Sequence, residues 1–331
     1  MTTHDRAGGA TVAEPRVYRS PLRDLLSAPG TRVVLLDRSR DPNAAVTVLV
    51  TPQGANEPEL AVKIATTPVA AEVIEREARL LVELSRRKLR RVRHTLPRHA
   101  GVYDADGMLA VAAAVLPGVP MITRYHAYRR LARAEAVRED LAAAATWLAE
   151  LHADTAQERA PVALVPGDVE DGELAAALRP ITARLATATT PRTVVHGDFW
   201  AGNVLVTGDV VTGVVDWAAA ELSGEPLRDV ARFALSYALY LDRHTPAGWR
   251  VAGHRGLRAD RWGAGVEYVL TGHGWLPDLV REFVTAALHR LGAPEALWRE
   301  VLLSGIAEVA VTADHPEFAR RHRDLLLRLV R

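Results

Sequence analysis

The chain of 331 residues contains no cysteine, which excludes a disulfide framework and a cysteine-ligated metal site. It has no apolar run of membrane-spanning length and no apolar signal core at its N-terminus, so we expect a cytoplasmic protein without a membrane partner. Its 41 Lys and Arg residues balance 40 Asp and Glu residues, so no overall electric field favours nucleic acid. The length indicates about two domains.

Lysine and asparagine are rare, which makes each occurrence informative. The only lysines are Lys63 and Lys88 among 41 basic residues, and Lys63 lies within the apolar segment Ala61–Ile64. The only asparagines are Asn43, Asn56 and Asn203. The first two lie in the turn-like segments Asp-Pro-Asn (41–43) and Gly-Ala-Asn-Glu-Pro (54–58), which leaves Asn203 without a simple explanation as a turn residue.

The polar loop around Asn203 lies between β-branched segments. Residues 193–195 are apolar or β-branched, the loop carries His196, Asp198 and Asn203, and residues 204–206 are apolar again. A Gly-Asp turn follows, and then a second valine-rich segment that ends at Asp216. This pattern predicts strand, loop, strand, tight turn and strand, with the polar side chains at the strand ends.

The residue types at these strand ends suit phosphoryl transfer from a nucleotide. Asp198 could accept a proton from a hydroxyl group, whereas Asn203 and Asp216 offer the oxygen ligands that Mg²⁺ prefers. Such catalysis consists mainly of positioning and of charge neutralisation. An ordinary β-hairpin with a polar loop is the alternative explanation for the pattern.

Two motifs resemble those of a known family. His-Gly-Asp-Phe-Trp-Ala-Gly-Asn (196–203) resembles the catalytic loop of the aminoglycoside phosphotransferase and choline kinase group of the protein-kinase-like superfamily, and Val-Val-Asp-Trp (214–217) resembles its metal-binding segment. The resemblance implies an α+β, two-lobed fold, with a small antiparallel-sheet N-lobe carrying one helix and a larger, mainly helical C-lobe. The expected boundaries are a mobile tail at 1–18, the nucleotide-binding N-lobe at 19–116 and the C-lobe at 117–331.

The N-lobe is predicted to contain an antiparallel meander followed by a helix. Residues 32–36, 45–50 and 60–64 have strand character, and the segments between them have turn character. Thr67 and Pro68 are typical of a helix start, and the helical pattern continues to Leu84.

One glutamate of this helix is predicted to face inward. Glu77 has apolar neighbours three and four residues away on both sides, whereas Glu72 and Glu75 do not. A buried carboxylate needs a cation, and Lys63 is the obvious candidate. The pair resembles the Lys–Glu bridge of active kinases, which implies that Lys63 contacts the nucleotide phosphates.

The apolar segment before Pro117-Gly118 resembles the interlobe hinge of the group. The resemblance implies backbone hydrogen bonds to the nucleotide base from the last four residues of that segment, which are Ala113, Ala114, Val115 and Leu116.

The C-lobe is predicted to be mainly helical. Helices are expected over 128–152, 173–188, 227–241 and 277–291, with two more starting near Pro294 and Pro316. The resemblance implies that Asp229 holds the catalytic loop and that residues 242–274 line the acceptor pocket. We expect His196 to support the loop by packing and hydrogen bonding.

Two features depart from the family. No Gly-rich motif occurs in the turn 37–43, where kinases cover the phosphates. Acidic and basic residues nearly balance from about 217 to the end, whereas a site for polycationic aminoglycosides should be acidic.

The sequence therefore predicts a magnesium-dependent phosphotransferase that moves the γ-phosphate of ATP or GTP to a hydroxyl of a small polar molecule. A sugar, an amino alcohol, an aminoglycoside-like molecule or another glycosylated compound fits this description. A non-catalytic, kinase-like nucleotide-binding protein remains an alternative, and so does a metal-dependent hydrolase using His196 and Asp198. The sequence does not indicate the oligomeric state.

Overall fold

A computed structural model of the chain describes residues 20–38, 45–165 and 169–331. The predicted tail at 1–18 lies outside these ranges, as do residues 39–44 of the first turn. Within the described ranges, no helix combines the length and apolar character needed to cross a membrane.

The N-terminal part is built on a six-stranded sheet. Its strands are β1 (Ser20–Pro21), β2 (Arg32–Arg38), β3 (Ala45–Thr51), β4 (Leu60–Ala65), β5 (His99–Ala105) and β6 (Met108–Ala114). Their order is β1-β5-β6-β4-β3-β2, and only the β1–β5 pair is parallel. The three predicted strands and their meander are confirmed, whereas β1, β5 and the short helix α1 (Leu22–Leu26) were not predicted.

Helix α2 (Pro68–Arg86) packs on this sheet, as the sequence predicts. The Thr67 hydroxyl accepts a hydrogen bond from the backbone N–H of Ala70 at 3.1 Å, and Pro68 occupies the first turn. Ala70 and Ile74 bury their side chains with Ala65 of β4 and Leu109 of β6. The apolar stripe of α2 therefore fixes which of its side chains point to the sheet.

Small sheets support the polar loop. The remaining strands are β7 (Val119–Pro120), β8 (Arg159–Pro161), β9 (Thr189–Pro191), β10 (Thr193–Val195), β11 (Val204–Thr207), β12 (Val210–Val214) and β13 (Glu221–Gly224). β11 pairs with β7 and β12, and β10 pairs with β13. The predicted strand–loop–strand–turn–strand order is confirmed, because the polar loop joins β10 to β11 and Asp216 follows β12 by two residues.

The larger part is mainly helical. Its helices are α3 (Met121–Tyr125), α4 (Ala134–Thr155), α5 (Gly172–Leu185), α6 (Leu227–Leu239), α7 (Ala264–Thr271), α8 (Trp275–Arg290), α9 (Trp298–Thr312) and α10 (Pro316–Val330). One continuous core joins them, with Trp217, Phe199, Phe233 and Tyr237 among its largest buried side chains. The predicted α+β fold, with a small sheet-based part and a larger helical part, is confirmed.

Two helix predictions need correction. The helix expected over 128–152 begins only at Ala134 and is preceded by a separate 3-10 turn at Arg130–Ala132. Arg129 adopts a left-handed conformation with φ of 55°, which an α-helix cannot contain. The predicted acceptor region 242–274 also contains a helix, α7, which packs against α6 and α8.

Candidate active site

The polar loop between β10 and β11 is held by one buried carboxylate. Asp229, in the first turn of α6, accepts hydrogen bonds from the backbone N–H groups of His196 at 2.7 Å and Gly197 at 2.8 Å. Gly197 has φ of 80°, and a Cβ atom there would meet the carbonyl oxygen of Ala219 at 2.2 Å. Burial raises the pKa of Asp229, although the two N–H donors oppose the shift. The scaffold position predicted for Asp229 is therefore present.

His196 is fully buried beneath the loop. Its Nδ1 accepts from the backbone N–H of Asp198 at 3.2 Å, and its Nε2 lies 3.0 Å from the carbonyl oxygen of Val215. Because a carbonyl can only accept, these contacts require a neutral imidazole with the proton on Nε2. With both nitrogens engaged, His196 is not available as a metal ligand, which argues against the metal-dependent hydrolase.

Both carboxylate oxygens of Asp198 have partners. Oδ1 accepts from Arg232 Nε at 3.0 Å and Arg232 Nη2 at 2.6 Å, and Oδ2 accepts from Asn203 Nδ2 at 3.1 Å. Burial lowers the pKa of Arg232, but the charge and hydrogen bonds of Asp198 outweigh this effect and raise it. Sequence reasoning missed Arg232. Its spacing of three residues from Asp229 on α6 could have indicated it, since residues so spaced share a helix face.

Asn203 and Asp216 provide oxygen atoms suited to magnesium. Asn203 donates its amide N–H to the carbonyl oxygen of Asp198 at 2.9 Å as well as to Oδ2, which fixes the amide and leaves its Oδ1 available. Asp216 adopts φ of 67°, and its side chain is about half exposed. The described residues contain no cluster of three or more His, Cys, Asp or Glu side chains that could enclose a metal. Two protein oxygens nevertheless fit Mg²⁺, which takes its other ligands from phosphates and water.

Lys63 of β4 connects α2 to the segment after β12. Its ammonium group lies 2.7 Å from Glu77 Oε2 and 2.7 Å from Asp216 Oδ1. Burial lowers the pKa of Lys63, but Asp216 and Glu77 outweigh it and raise that pKa, while Lys63 lowers the pKa of Asp216. Glu77 also accepts the backbone N–H of Trp217 at 2.9 Å through its other oxygen.

The helix register predicted for α2 is confirmed. Glu77 is 7% exposed and faces Lys63, whereas Glu72 and Glu75 are exposed to solvent. Glu77 therefore links α2 to β4 and to the segment around Asp216. Glu72 and Glu75, on the exposed side of the same helix, can serve as controls for substitutions of Glu77.

The predicted hinge is partly occupied by internal hydrogen bonds. The N–H of Ala114 donates to Arg98 O at 2.9 Å, and the N–H of Val115 donates to Glu59 O at 2.9 Å. Ala113 is a β6 residue paired with Ala61 and His99. Of these four residues, Leu116 alone has a backbone N–H without a hydrogen-bond partner among the described residues. The N–H groups of Ala114 and Val115 are therefore already engaged within the chain, and the backbone hydrogen bonds from residues 113–116 to a nucleotide base stay a prediction.

The predicted acceptor region surrounds the C-terminal end of α6. A cavity of about 360 Å³ opens there, and it is lined by both acidic and basic side chains. The charged residues of its lining are Asp242, Arg243, Asp260 and Arg261. Burial raises the pKa of Asp242, and the nearby Asp260 raises it further.

Known proteins resemble this chain in sequence profile and in fold. The profile of the Phosphotransferase enzyme family matches residues 43–266. The crystal structure of aminoglycoside phosphotransferase APH(4)-Ia superposes with a TM-score of 0.54 and 12% identity, over 93% of this chain and 96% of that one. A thermostable mutant of the same protein, in ternary complex with ADP and hygromycin B, gives a TM-score of 0.51 and 12% identity over 90% and 94%.

A search of curated protein sequences found no match. The structural likeness, at 12% identity, shows the two-lobed, protein-kinase-like fold and nothing about the ligand. The profile match is more informative, because it spans more than half of the residues and includes Lys63, Glu77, Asp198, Asn203 and Asp216. The chain belongs to the Phosphotransferase enzyme family.

Proposed function

We propose that this chain is a magnesium-dependent phosphotransferase that moves the γ-phosphate of ATP or GTP to a hydroxyl of a small polar molecule. The observation that carries the proposal is the pairing of five polar side chains in two groups, Glu77–Lys63–Asp216 and Asn203–Asp198. Glu77 bonds to Lys63 and Lys63 to Asp216, at 2.7 Å each, and Asn203 bonds to Asp198 at 3.1 Å. Phosphoryl transfer needs this combination of a cation, two oxygen ligands and a carboxylate near the acceptor.

In the proposed complex, the nucleotide lies between an N-lobe ending at residue 116 and a C-lobe beginning at 117. The base would meet the free N–H of Leu116, and Lys63 would contact the phosphates. Asn203 Oδ1 and the Asp216 carboxylate would hold magnesium, which neutralises charge on the phosphate oxygens. Before nucleotide binds, the Lys63–Asp216 ion pair keeps both charged groups partnered.

Asp198 has the proposed role of orienting the acceptor hydroxyl. The hydroxyl oxygen forms a bond to the γ-phosphorus, its proton passes to Asp198, and the bond from phosphorus to the bridging oxygen breaks to release the nucleoside diphosphate. Arg232 donates two hydrogen bonds to Asp198 Oδ1, whereas Asp198 Oδ2 accepts only one, from Asn203. Oδ2 is therefore the oxygen that would accept the hydroxyl group of the acceptor molecule. His196 supports the loop and takes no proton.

In the complexes of the related structure, ADP is bound together with hygromycin B, and AMP-PNP is bound together with hygromycin B. We extend to this chain only the pairing of a nucleotide with a small-molecule acceptor. The identity of the acceptor does not follow from that pairing.

The test combines nucleotide binding with an acceptor screen. Calorimetry should show ATP or GTP binding that disappears when EDTA removes magnesium. A screen that follows ADP or GDP release over sugars, amino alcohols, aminoglycosides and macrolides should identify an acceptor. Nucleotide binding without transfer to any acceptor would favour the non-catalytic, kinase-like alternative. No magnesium-dependent nucleotide binding would refute both.

A further inference from the structure

The guanidinium beside Asp198 has unused hydrogen-bond donors. An arginine side chain has five N–H donors, and Arg232 uses two of them on Asp198 Oδ1, which leaves three. Those three have no hydrogen-bond acceptor among the described residues. The Arg232 side chain is 25% exposed, so it remains open to a ligand.

The nearby carboxylate of Glu308 does not accept hydrogen bonds from the remaining N–H groups of Arg232. Glu308 of α9 is close enough to raise the pKa of Arg232, against the lowering effect of burial, but its hydrogen bonds come from Arg228 at 3.0 Å and 2.8 Å. Arg228 also pairs with Glu221. Arg232 therefore presents unpaired N–H groups next to the carboxylate that we assign to the acceptor hydroxyl.

From Arg232 to the C-terminal end of α6 at Leu239, the helix carries no carboxylate. Ser236 and Tyr240 follow Arg232 at intervals of four residues, and all three are partly exposed. Arg243 places its guanidinium 5.9 Å from the centre of the Tyr240 ring. The positions that follow Arg232 on α6 thus present hydroxyl groups, and the cavity at the end of the helix is lined by two carboxylates, Asp242 and Asp260, as well as by Arg243 and Arg261.

We infer that the acceptor is a neutral or anionic polyhydroxyl compound, with an oxygen acceptor on the carbon next to the reacting hydroxyl. Asp198 Oδ2 receives the reacting hydroxyl, and the free N–H groups of Arg232 donate to the neighbouring hydroxyl, carbonyl or carboxylate oxygen. An ammonium group at that position would face the guanidinium of Arg232, which repels it. The carboxylate that could pair with the ammonium group is that of Asp198, and Arg232 already neutralises its charge. This inference rests on the proposed function and narrows its substrate class.

The test is an acceptor panel on matched scaffolds, with saturating MgATP and detection of ADP release. The panel contains hexoses, the corresponding hexuronates and hexosamines, together with kanamycin and hygromycin B. We expect transfer to the hexoses or hexuronates, with kcat/KM at least tenfold above that of the matched hexosamine. The Arg232→Gln substitution should raise KM for the preferred acceptor by roughly 10- to 100-fold, the effect of losing a hydrogen bond to a charged group.

The matched control is Arg138→Gln, which removes the guanidinium of an exposed ion pair with Glu135 on α4. It should leave KM unchanged, and neither substitution should alter MgATP affinity by more than about twofold. If Arg232→Gln does not fold, the preference order of the unmodified protein still decides the question.

Preference for hexosamines or aminoglycosides would overturn the inference. So would MgATP binding without transfer to any neutral or anionic member, or an unchanged KM in the folded Arg232→Gln protein. Failure of MgATP to bind at all would refute the proposed function itself and this inference with it. That failure is distinguishable because it is seen before any acceptor is added.

Discussion

Replacing Glu77 by Gln tests the link between the two lobes most directly. The change keeps the size of the side chain but removes its charge, so the ion pair with Lys63 at 2.7 Å is lost. An amide oxygen can still accept the N–H of Trp217. The substitution therefore perturbs the position of Lys63 more than the backbone after β12.

The size of the effect of Glu77→Gln follows from the burial of the Lys63–Glu77 ion pair. The Glu77 side chain is 8% exposed and that of Lys63 is 27% exposed. Removing one partner of a fully buried ion pair costs about 3–5 kcal/mol. Lys63 keeps its contact with Asp216 at 2.7 Å, so its charge still has a partner. We therefore expect the substitution to remove about 1–3 kcal/mol of the interaction free energy that holds the Lys63 ammonium group in place. If Lys63 contacts the phosphates, that loss weakens nucleotide binding by roughly 5- to 150-fold.

The assay is calorimetric titration with MgATP of the unmodified protein and three variants. Glu72→Gln and Glu75→Gln remove the same charge from exposed positions of the same helix, and they should stay within about twofold of the unmodified protein. An affinity of Glu77→Gln equal to that of these controls would show that the Lys63–Glu77 pair has no part in nucleotide binding.

Three further predictions concern the catalytic loop, the metal ligands and a buried histidine. Asp198→Asn should lower phosphate transfer by about two to four orders of magnitude while nucleotide binding is kept, as measured by ADP release and calorimetry. Asp216→Ala should abolish magnesium-dependent nucleotide binding in a titration with and without EDTA. Burial, followed by the nearby Arg290, lowers the pKa of His152 to about 3. Denaturant unfolding should therefore show that His152 costs about 2 kcal/mol of stability between pH 8 and pH 5, a cost that His152→Leu removes.

Each of these predictions has a contradicting result. Transfer by Asp198→Asn within a few-fold of the unmodified protein would remove Asp198 from the mechanism, and unaltered magnesium dependence in Asp216→Ala would remove Asp216 from the metal site. For His152 the pKa in the folded state lies below that in the unfolded state. Its neutral form therefore carries no stability cost above about pH 6.5, and the free energy of unfolding decreases as the pH falls from there towards 3. An identical pH dependence in His152→Leu would refute this assignment.

Much of the site could be predicted because its determinants are close together in the sequence. His196, Asp198, Asn203 and Asp216 lie within two strand–loop segments, where alternation and turn residues place them at strand ends. The inward direction of Glu77 followed from helical periodicity alone, and the Lys63–Glu77 distance of 2.7 Å agrees with it.

What the sequence did not reveal depends on contacts between distant residues. Arg232 contacts Asp198 across 34 positions. Its spacing from Asp229 places it on the same face of α6, but that spacing does not identify Asp198 as its partner. The N–H groups of Ala114 and Val115 donate to the carbonyl oxygens of Arg98 and Glu59, which lie 16 and 56 positions earlier in the chain. The early start predicted for α4 failed for a related reason. Arg129 adopts a left-handed conformation, and the guanidinium of the next residue, Arg130, bonds to the buried Asp140, ten positions later, at 2.9 Å.

Helix α6 contacts both the backbone of the polar loop at 196–203 and the carboxylate of Asp198. Asp229 in its first turn holds the N–H groups of His196 and Gly197, and Arg232, three residues later, holds the carboxylate of Asp198. Any shift of α6 would therefore change the position of the loop and the orientation of its carboxylate together. Because Ser236 of α6 and Tyr240, which caps the helix, follow Arg232 at intervals of four residues, the element that holds the polar loop also carries the side chains that we propose to lie beside the acceptor.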